Sequence, residues 1–222
     1  MDGQRSFRVA VLLFALALAG ASALSACGSG KDNQPAKLDF SAAPAFRGVR
    51  QVPPIEMPDL TLTDPEGLPF RLREQTAEKV TLLYLGYTHC LDVCPTHMAQ
   101  VARALDELPA NTASQVSVVF ITTDPERDTP EVLRNWLDLL DERVVGLTGT
   151  REEINRAQGL LGVNPASRTD LGGGNYAVNH AAFVMAFTPE DQKARLVYPA
   201  DMSSGDYAAD LRALIEERIR PS

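Results

Sequence analysis

Apolar and polar positions alternate between strand-like and helix-like periods along most of this chain. Val80–Leu85 (V-T-L-L-Y-L) is a short β-branched and aromatic run closed by Gly86, the pattern of a strand buried on both faces. Val116–Thr122 is a second such run, suited to a central parallel strand; Ala181–Phe187 is a third, with a shorter one over Arg195–Tyr198. From Met57 the apolar positions alternate on either side of Asp64-Pro65-Glu66-Gly67, which predicts a β-hairpin at the entrance of the domain. Helices are predicted from Cys94, next to Pro95, to about Leu108. Another runs from Pro130, behind an N-cap Thr129, to about Leu140. The T-x-x-E capping box of Thr150–Glu153 opens a third, to about Leu161, and Ser204–Ile219 is the last. Asn164–Asn175, with three consecutive glycines, reads as a mobile loop; those glycines do not join a strand directly to a helix, as a phosphate-cradling fingerprint requires. Strands alternating with helices after an opening hairpin predict an α/β sandwich with a central mixed β-sheet flanked by helices, without internal repeats.

Ahead of this domain the pattern changes. Arg5 and Arg8 precede an apolar run, Val9–Ala19, that is short for a membrane span and long enough for the core of a signal peptide. Leu24-Ser25-Ala26-Cys27 then resembles a bacterial lipobox, in which Cys27 is lipidated and becomes the mature N-terminus. The expected division is therefore a lipoprotein signal peptide over residues 1–26, a flexible tether over 27–52 and a globular domain over 53–222. An ordinary signal peptide or an uncleaved anchor is the plainer alternative. The small residues before Cys27 and Gly28-Ser29-Gly30 after it favour lipidation, placing the protein on the extracytoplasmic face of a cell membrane.

The 222 residues carry a formal charge of −8. Asp2, Arg5 and Arg8 in the leader sum to +1, which leaves −9 on the mature part. That excess argues against nucleic acid as a partner and against a polybasic grip on anionic lipid, so acyl chains would be the membrane anchor. Of three cysteines, only Cys90 and Cys94 remain free of the lipobox, too few for a disulfide-stapled miniature. Their expected role is chemical.

Cys90 and Cys94 lie at the junction between the Val80–Leu85 strand and the helix that follows. Three intervening residues let the sulfurs reach either disulfide geometry or a common metal ion. Backbone N–H groups at the helix start favour negative charge and lower a nearby thiol pKa. Two inert core cysteines are the plain alternative, but Asp92, His89 and His97 make the loop look polar and accessible. Two thiolates and one imidazole would form a soft, incomplete set suited to trigonal Cu(I) and able to accept Cu(II), whereas structural zinc would call for four ligands. Proximity in sequence nominates His97 or His89 over His180 as a third ligand, and spacing does not choose between them. His97 reads as an exposed polar residue on the first helical turn, His89 as a loop residue tuning the thiols, and His180 as a core histidine.

H-C-L-D-V-C-P-T at His89–Thr96, D-P-E-R-D-T-P-E at Asp124–Glu131, and His180 before a strand, in this order, resemble the Sco/SenC family across roughly Pro53–Ile219. The resemblance implies a thioredoxin-like fold and a membrane-anchored, extracytoplasmic protein that handles copper for cytochrome c oxidase assembly. It implies that Cys90, Cys94 and His180 bind one copper ion and that the two cysteines can form a disulfide. The implied partners are the copper-accepting subunit of the oxidase, with another copper carrier or a thiol reductase besides. Leu91, where the family often has proline, and Asn179, where it often has an acidic residue, depart from the pattern, as does the Ala-Ala-Phe-Val-Met after His180. Asp124 is expected near the site; Glu126, Arg127 and Asp128 read as a surface turn. The rival from another class is a thiol-disulfide oxidoreductase using Cys90 and Cys94. The spacing, one residue longer than C-x-x-C, and the absence of proline from Asn179-His180-Ala181 favour metal.

Overall fold

The computed structural model describes residues 46–219. The expected leader, the expected tether up to residue 45 and the expected lipidation site at Cys27 lie outside the described residues. In chain order the elements are β1 (Val49–Glu56), β2 (Thr61–Thr63), β3 (Pro69–Arg71), α1 (Leu72–Gln75), β4 (Val80–Gly86), α2 (Val93–Asp106), α3 (Ala110–Ala113) and β5 (Val116–Thr122). They continue with α4 (Pro130–Asp138), β6 (Val144–Leu147), α5 (Arg151–Leu160), β7 (Ser167–Gly172), β8 (Asn175–Asn179), β9 (Val184–Thr188), β10 (Lys193–Tyr198) and α6 (Ser204–Ile219).

Six strands form the central sheet in the order β1-β10-β9-β4-β5-β6. The pairs β4–β5 and β5–β6 are parallel, while β9 runs antiparallel to β4 and β10 to β9, so the sheet is mixed as expected. Every residue of β4 is buried because the sheet is covered on both faces. Alternation sorts its side chains: Val80, Leu82 and Tyr84 face one core with α2, α4 and α6, whereas Leu83 and Leu85 face the other with the β2–β3 hairpin, α1 and α5. Gly86 ends the strand where a Cβ would lie 2.7 Å from the Tyr84 ring and 2.8 Å from Phe120. Pinned between two cores, the C-terminal end of β4 is a firm platform for the cysteine loop.

The helix starts behave as their sequences require. Thr129 accepts the Val132 N–H with Pro130 in the first turn, and Thr150 and Glu153 make a reciprocal capping box. Helix α2 begins at Val93 behind Asp92, so Cys94 is its second residue rather than its cap.

Two regions differ from the sequence reading. Strand β1 starts at Val49, four residues inside the stretch read as tether, and pairs with β10 from Val49↔Val197. It is a mostly exposed edge strand whose apolar residues do not alternate, so the usual signal is missing. Asn164–Asn175 is not simply a loop: β7 and β8 pair into a hairpin from Ser167↔Asn179 to Gly172↔Asn175, with Gly172, Gly173 and Gly174 all at positive φ in the turn. All six residues of β7 are exposed, so burial left no periodic pattern to read. Among the described residues, no helix is long and apolar enough to cross a membrane.

Candidate metal centre

Cys90 lies in the β4–α2 loop, Cys94 in the first turn of α2, and His180 just after β8, before the chain enters β9. Folding brings one ligand atom from each within 4.8 Å of the others. Cys94 Sγ is 3.5 Å from His180 Nε2, across 86 residues of sequence. His180 Nδ1 lies 3.0 Å from the Ala181 carbonyl; with Nδ1 as the donor, the Nε2 lone pair faces the sulfurs. Tyr87 and Tyr84 meet the ring edge-on, at centroid distances of 5.6 and 6.1 Å. His89 and His97 do not join this cluster.

The two thiols are free and unequal. Cys94 is fully buried, while Cys90 is half-buried at the mouth of the loop. As the second residue of a helix, Cys94 has a backbone N–H without an intrahelical acceptor, and it donates to Cys90 Sγ at 3.3 Å. Hydrogen bonding from the Cys94 thiol, with further donation from the Cys94 and Asp92 N–H groups and against the raising effect of burial, pulls the Cys90 pKa down to about 4. Cys94 goes the other way. Holding the shared proton toward Cys90, and buried besides, it is pushed well above the ordinary thiol range. Tyr84 adds a hydroxyl 3.6 Å from Cys94 Sγ. The apo site is therefore a thiolate at the surface backed by a protonated thiol.

His97 is buried, not exposed. It lies one turn beyond Cys94 on the inward face of α2, its ring 4.9 Å from that of Tyr84, and Nε2 has no hydrogen-bond partner. Burial lowers its pKa, against a smaller raising effect of the Ala182 carbonyl. His89 is about half exposed, with Nδ1 3.0 Å from Thr88 Oγ1. Leu91, between the cysteines, is 96 % exposed.

The 124–128 turn is likewise more than surface. Asp124 is fully buried and accepts from Arg127, from Arg168 Nη2 at 3.0 Å and from the Tyr176 hydroxyl at 2.9 Å. Arg168 and Tyr176 belong to the β7–β8 hairpin, so Asp124 holds the segment that leads into His180. Arg127 lies over the Tyr176 ring at 3.7 Å and over Tyr87, beside the cysteine loop, at 5.8 Å. Glu126 pairs with Arg151 and Arg168. Asp128 is also fully buried and bonds Thr88. Sequence reasoning missed Tyr84, Tyr87, Tyr176 and Asp128. Tyr84 alone had a readable signal, lying in phase with Val80 and Leu82 on the face of β4 that meets α2.

Two sulfurs and one imidazole nitrogen at this spacing can hold one metal ion, and their softness suits copper better than a hard cation. Residues 51–216 match the SCO1/SenC family. The mitochondrial SCO1 homolog of Homo sapiens is 32 % identical over an alignment of 136 positions that covers 57 % of this chain and 45 % of that protein. Across the first curated relatives, the matched stretches span between 33 and 65 % of their length. Apo Sco1 of Thermus thermophilus superposes with a TM-score of 0.67 at 34 % identity, covering 76 % of this chain and 96 % of that one. ScoI of Bradyrhizobium japonicum, solved with copper bound, gives 0.62 at 31 % identity, covering 71 and 98 %. Matched from strand β1 into helix α6, and sharing the thioredoxin-like fold of solved Sco proteins, the chain belongs to the SCO1/SenC family.

Proposed function

We propose that this chain is an exported, membrane-tethered copper chaperone that binds one ion through Cys90, Cys94 and His180 and passes it to the copper-accepting subunit of cytochrome c oxidase during assembly. The carrying observation is the convergence of three donors within 4.8 Å, two from the β4–α2 junction and one from just after the β7–β8 hairpin. The copper bound to the Bradyrhizobium ScoI supports the choice of metal. Three ligands leave a coordination position through which a recipient's ligand can enter before the donor's leave. Cys90, the more exposed thiolate, is the side from which exchange begins. Oxidising the pair to a disulfide removes both thiolates, so redox state and copper occupancy are coupled. The domain over 53–222 would stand on the tether from Cys27, lipidated after removal of residues 1–26, on the extracytoplasmic face of the membrane. A diacylglyceryl Cys27 in the mass spectrum of the mature N-terminus is the expected signature; an unmodified Cys27 behind an intact leader refutes that part.

Anaerobic titration of the reduced protein should load one Cu(I), and the oxidised protein should bind far more weakly. Cells lacking the protein should lose assembled copper-containing terminal oxidase and recover part of it with added copper. The unequal thiols favour a second reading, thiol-disulfide oxidoreductase. Cys90 thiolate would attack a partner disulfide, and Cys94 would lose its proton and resolve the mixed disulfide. Two electrons would pass to the partner, leaving a Cys90–Cys94 disulfide. Rescue by a small-molecule reductant alone, with copper ineffective and no metal bound by the purified protein, decides for it. A Cys94→Ser variant would then trap the partner.

A further inference from the structure

Asp128 is a fully buried carboxylate in a turn of polar residues, and no lysine or arginine pairs with it among the described residues. The nearest ionisable nitrogen is His89 Nδ1, at 3.9 Å. Its side chain is held by neutral donors. Oδ2 accepts the Thr88 N–H at 3.0 Å and the Thr122 hydroxyl at 2.6 Å, and Oδ1 accepts the Thr88 hydroxyl at 2.6 Å. Thr122 donates here because a carboxylate only accepts, while its oxygen also accepts the Asp124 N–H at 2.9 Å. A carboxylate accepts from all three at once, whereas an amide has one acceptor oxygen and would have to turn the Thr88 hydroxyl round to accept from its NH2 group. Thr88 stands two residues before Cys90, and the Tyr87 carbonyl accepts the Cys90 N–H at 3.2 Å, closing a tight turn over 87–90. Where Thr88 is fixed therefore sets where the Cys90 sulfur lies relative to the Cys94 N–H.

We propose that Asp128 is the positioning residue of the cysteine loop: through Thr88 it holds Cys90 over the start of α2, in register with Cys94. This deepens the copper reading and rests on it for the metal, but its effect on the thiol pair exists without metal. Loosening Thr88 weakens donation to Cys90 Sγ and so destabilises the reduced pair.

The test uses the purified protein carrying Asp128→Asn, Thr88→Val, Thr88→Ser or Thr148→Val. The last removes a 3.0 Å bond to the Asp128 backbone carbonyl and leaves its carboxylate untouched. The metal-free protein is equilibrated with glutathione buffers, and Cu(I) release to a competing chelator is timed. Asp128→Asn and Thr88→Val should both shift the pair toward the disulfide, and release should be about tenfold faster, the scale of lost outer hydrogen bonds around metal ligands. Thr88→Ser should behave as wild type, and Thr148→Val should lower thermal stability without moving the thiol equilibrium. If Asp128→Asn and Thr88→Val lower stability yet leave that equilibrium at the wild-type value, the proposal is overturned. Thr88→Val alone decides should Asp128→Asn fail to fold. A wild type that takes up no copper refutes the copper reading, while the glutathione equilibrium still decides the role of Asp128.

Discussion

The two arms of the candidate metal centre are built in opposite ways. The cysteine arm is local: three residues separate its cysteines in sequence, one in the loop after a strand buried on both faces and the other in the first helical turn behind it. The Cys94 thiol, helped by backbone N–H groups, does the electrostatic work there. The histidine arm hangs from a two-stranded hairpin outside the main sheet, with β7 exposed along its whole length. Side chains hold it down, chiefly Arg168 and Tyr176 on Asp124, with Arg127 stacked on Tyr176. An element with few buried apolar contacts opens at low free energy. The contrast gives a rigid sulfur pair and a compliant imidazole, a division suited to holding an ion and letting it go.

The largest expected effect separates ligands from neighbours. Cys90→Ser or Cys94→Ser should abolish stoichiometric Cu(I) uptake in an anaerobic titration. His180→Ala should weaken Cu(II) binding beyond the roughly 10–100-fold typical of residues around the ligands, and change the visible spectrum. A larger change from His97→Ala than from His180→Ala would remove the histidine arm from the site.

Next in size is the inequality of the thiols. With its pKa near 4, Cys90 is thiolate throughout the neutral range. Alkylation of the reduced apo protein should label Cys90, not Cys94, at a rate nearly flat from about pH 8 to about pH 5 and falling only below that. An ordinary thiol, titrating near 9, would slow about tenfold per pH unit over the same window. Such a slope at Cys90 would contradict a thiolate held by the Cys94 thiol and N–H.

Tyr176→Phe probes the compliant arm by itself, removing a hydroxyl bonded to Asp124 and keeping the ring under Arg127. Amide exchange in residues 167–179 should quicken and Cu(II) affinity fall several-fold, with global stability down by about 1 kcal/mol. Cys90 alkylation should stay unchanged; if it changes as much, the arms are one unit and the comparison fails. The smallest effect belongs to His97→Leu. It removes a buried nitrogen without a partner along with the weak support of Ala182, so stability should move by no more than about 1 kcal/mol and the copper spectrum hardly at all.

Legibility in the sequence followed the same division. Runs such as Val80–Leu85 and Val116–Thr122 are buried on both faces, and the Thr129 and Thr150 caps satisfy their own helix ends, so their signals are local and survived intact. The mixed sheet and the Cys90–Cys94 pair were readable for that reason. His180 could be nominated only through the family resemblance, because nothing within 86 residues of chain announces that its Nε2 will meet Cys94 Sγ. His97 was misplaced because its burial depends on Tyr84 of another element. Asp128 was misread as surface because a charged residue in a polar stretch looks solvated until the cysteine loop closes over it. Sequence alone determined what depends on a residue and its near neighbours: strand period, helix caps and the soft character of the donors. Tertiary structure decided which histidine faces the sulfurs, which thiol is the thiolate and which carboxylates are buried, since each depends on atoms that only the folded chain brings within a few ångströms.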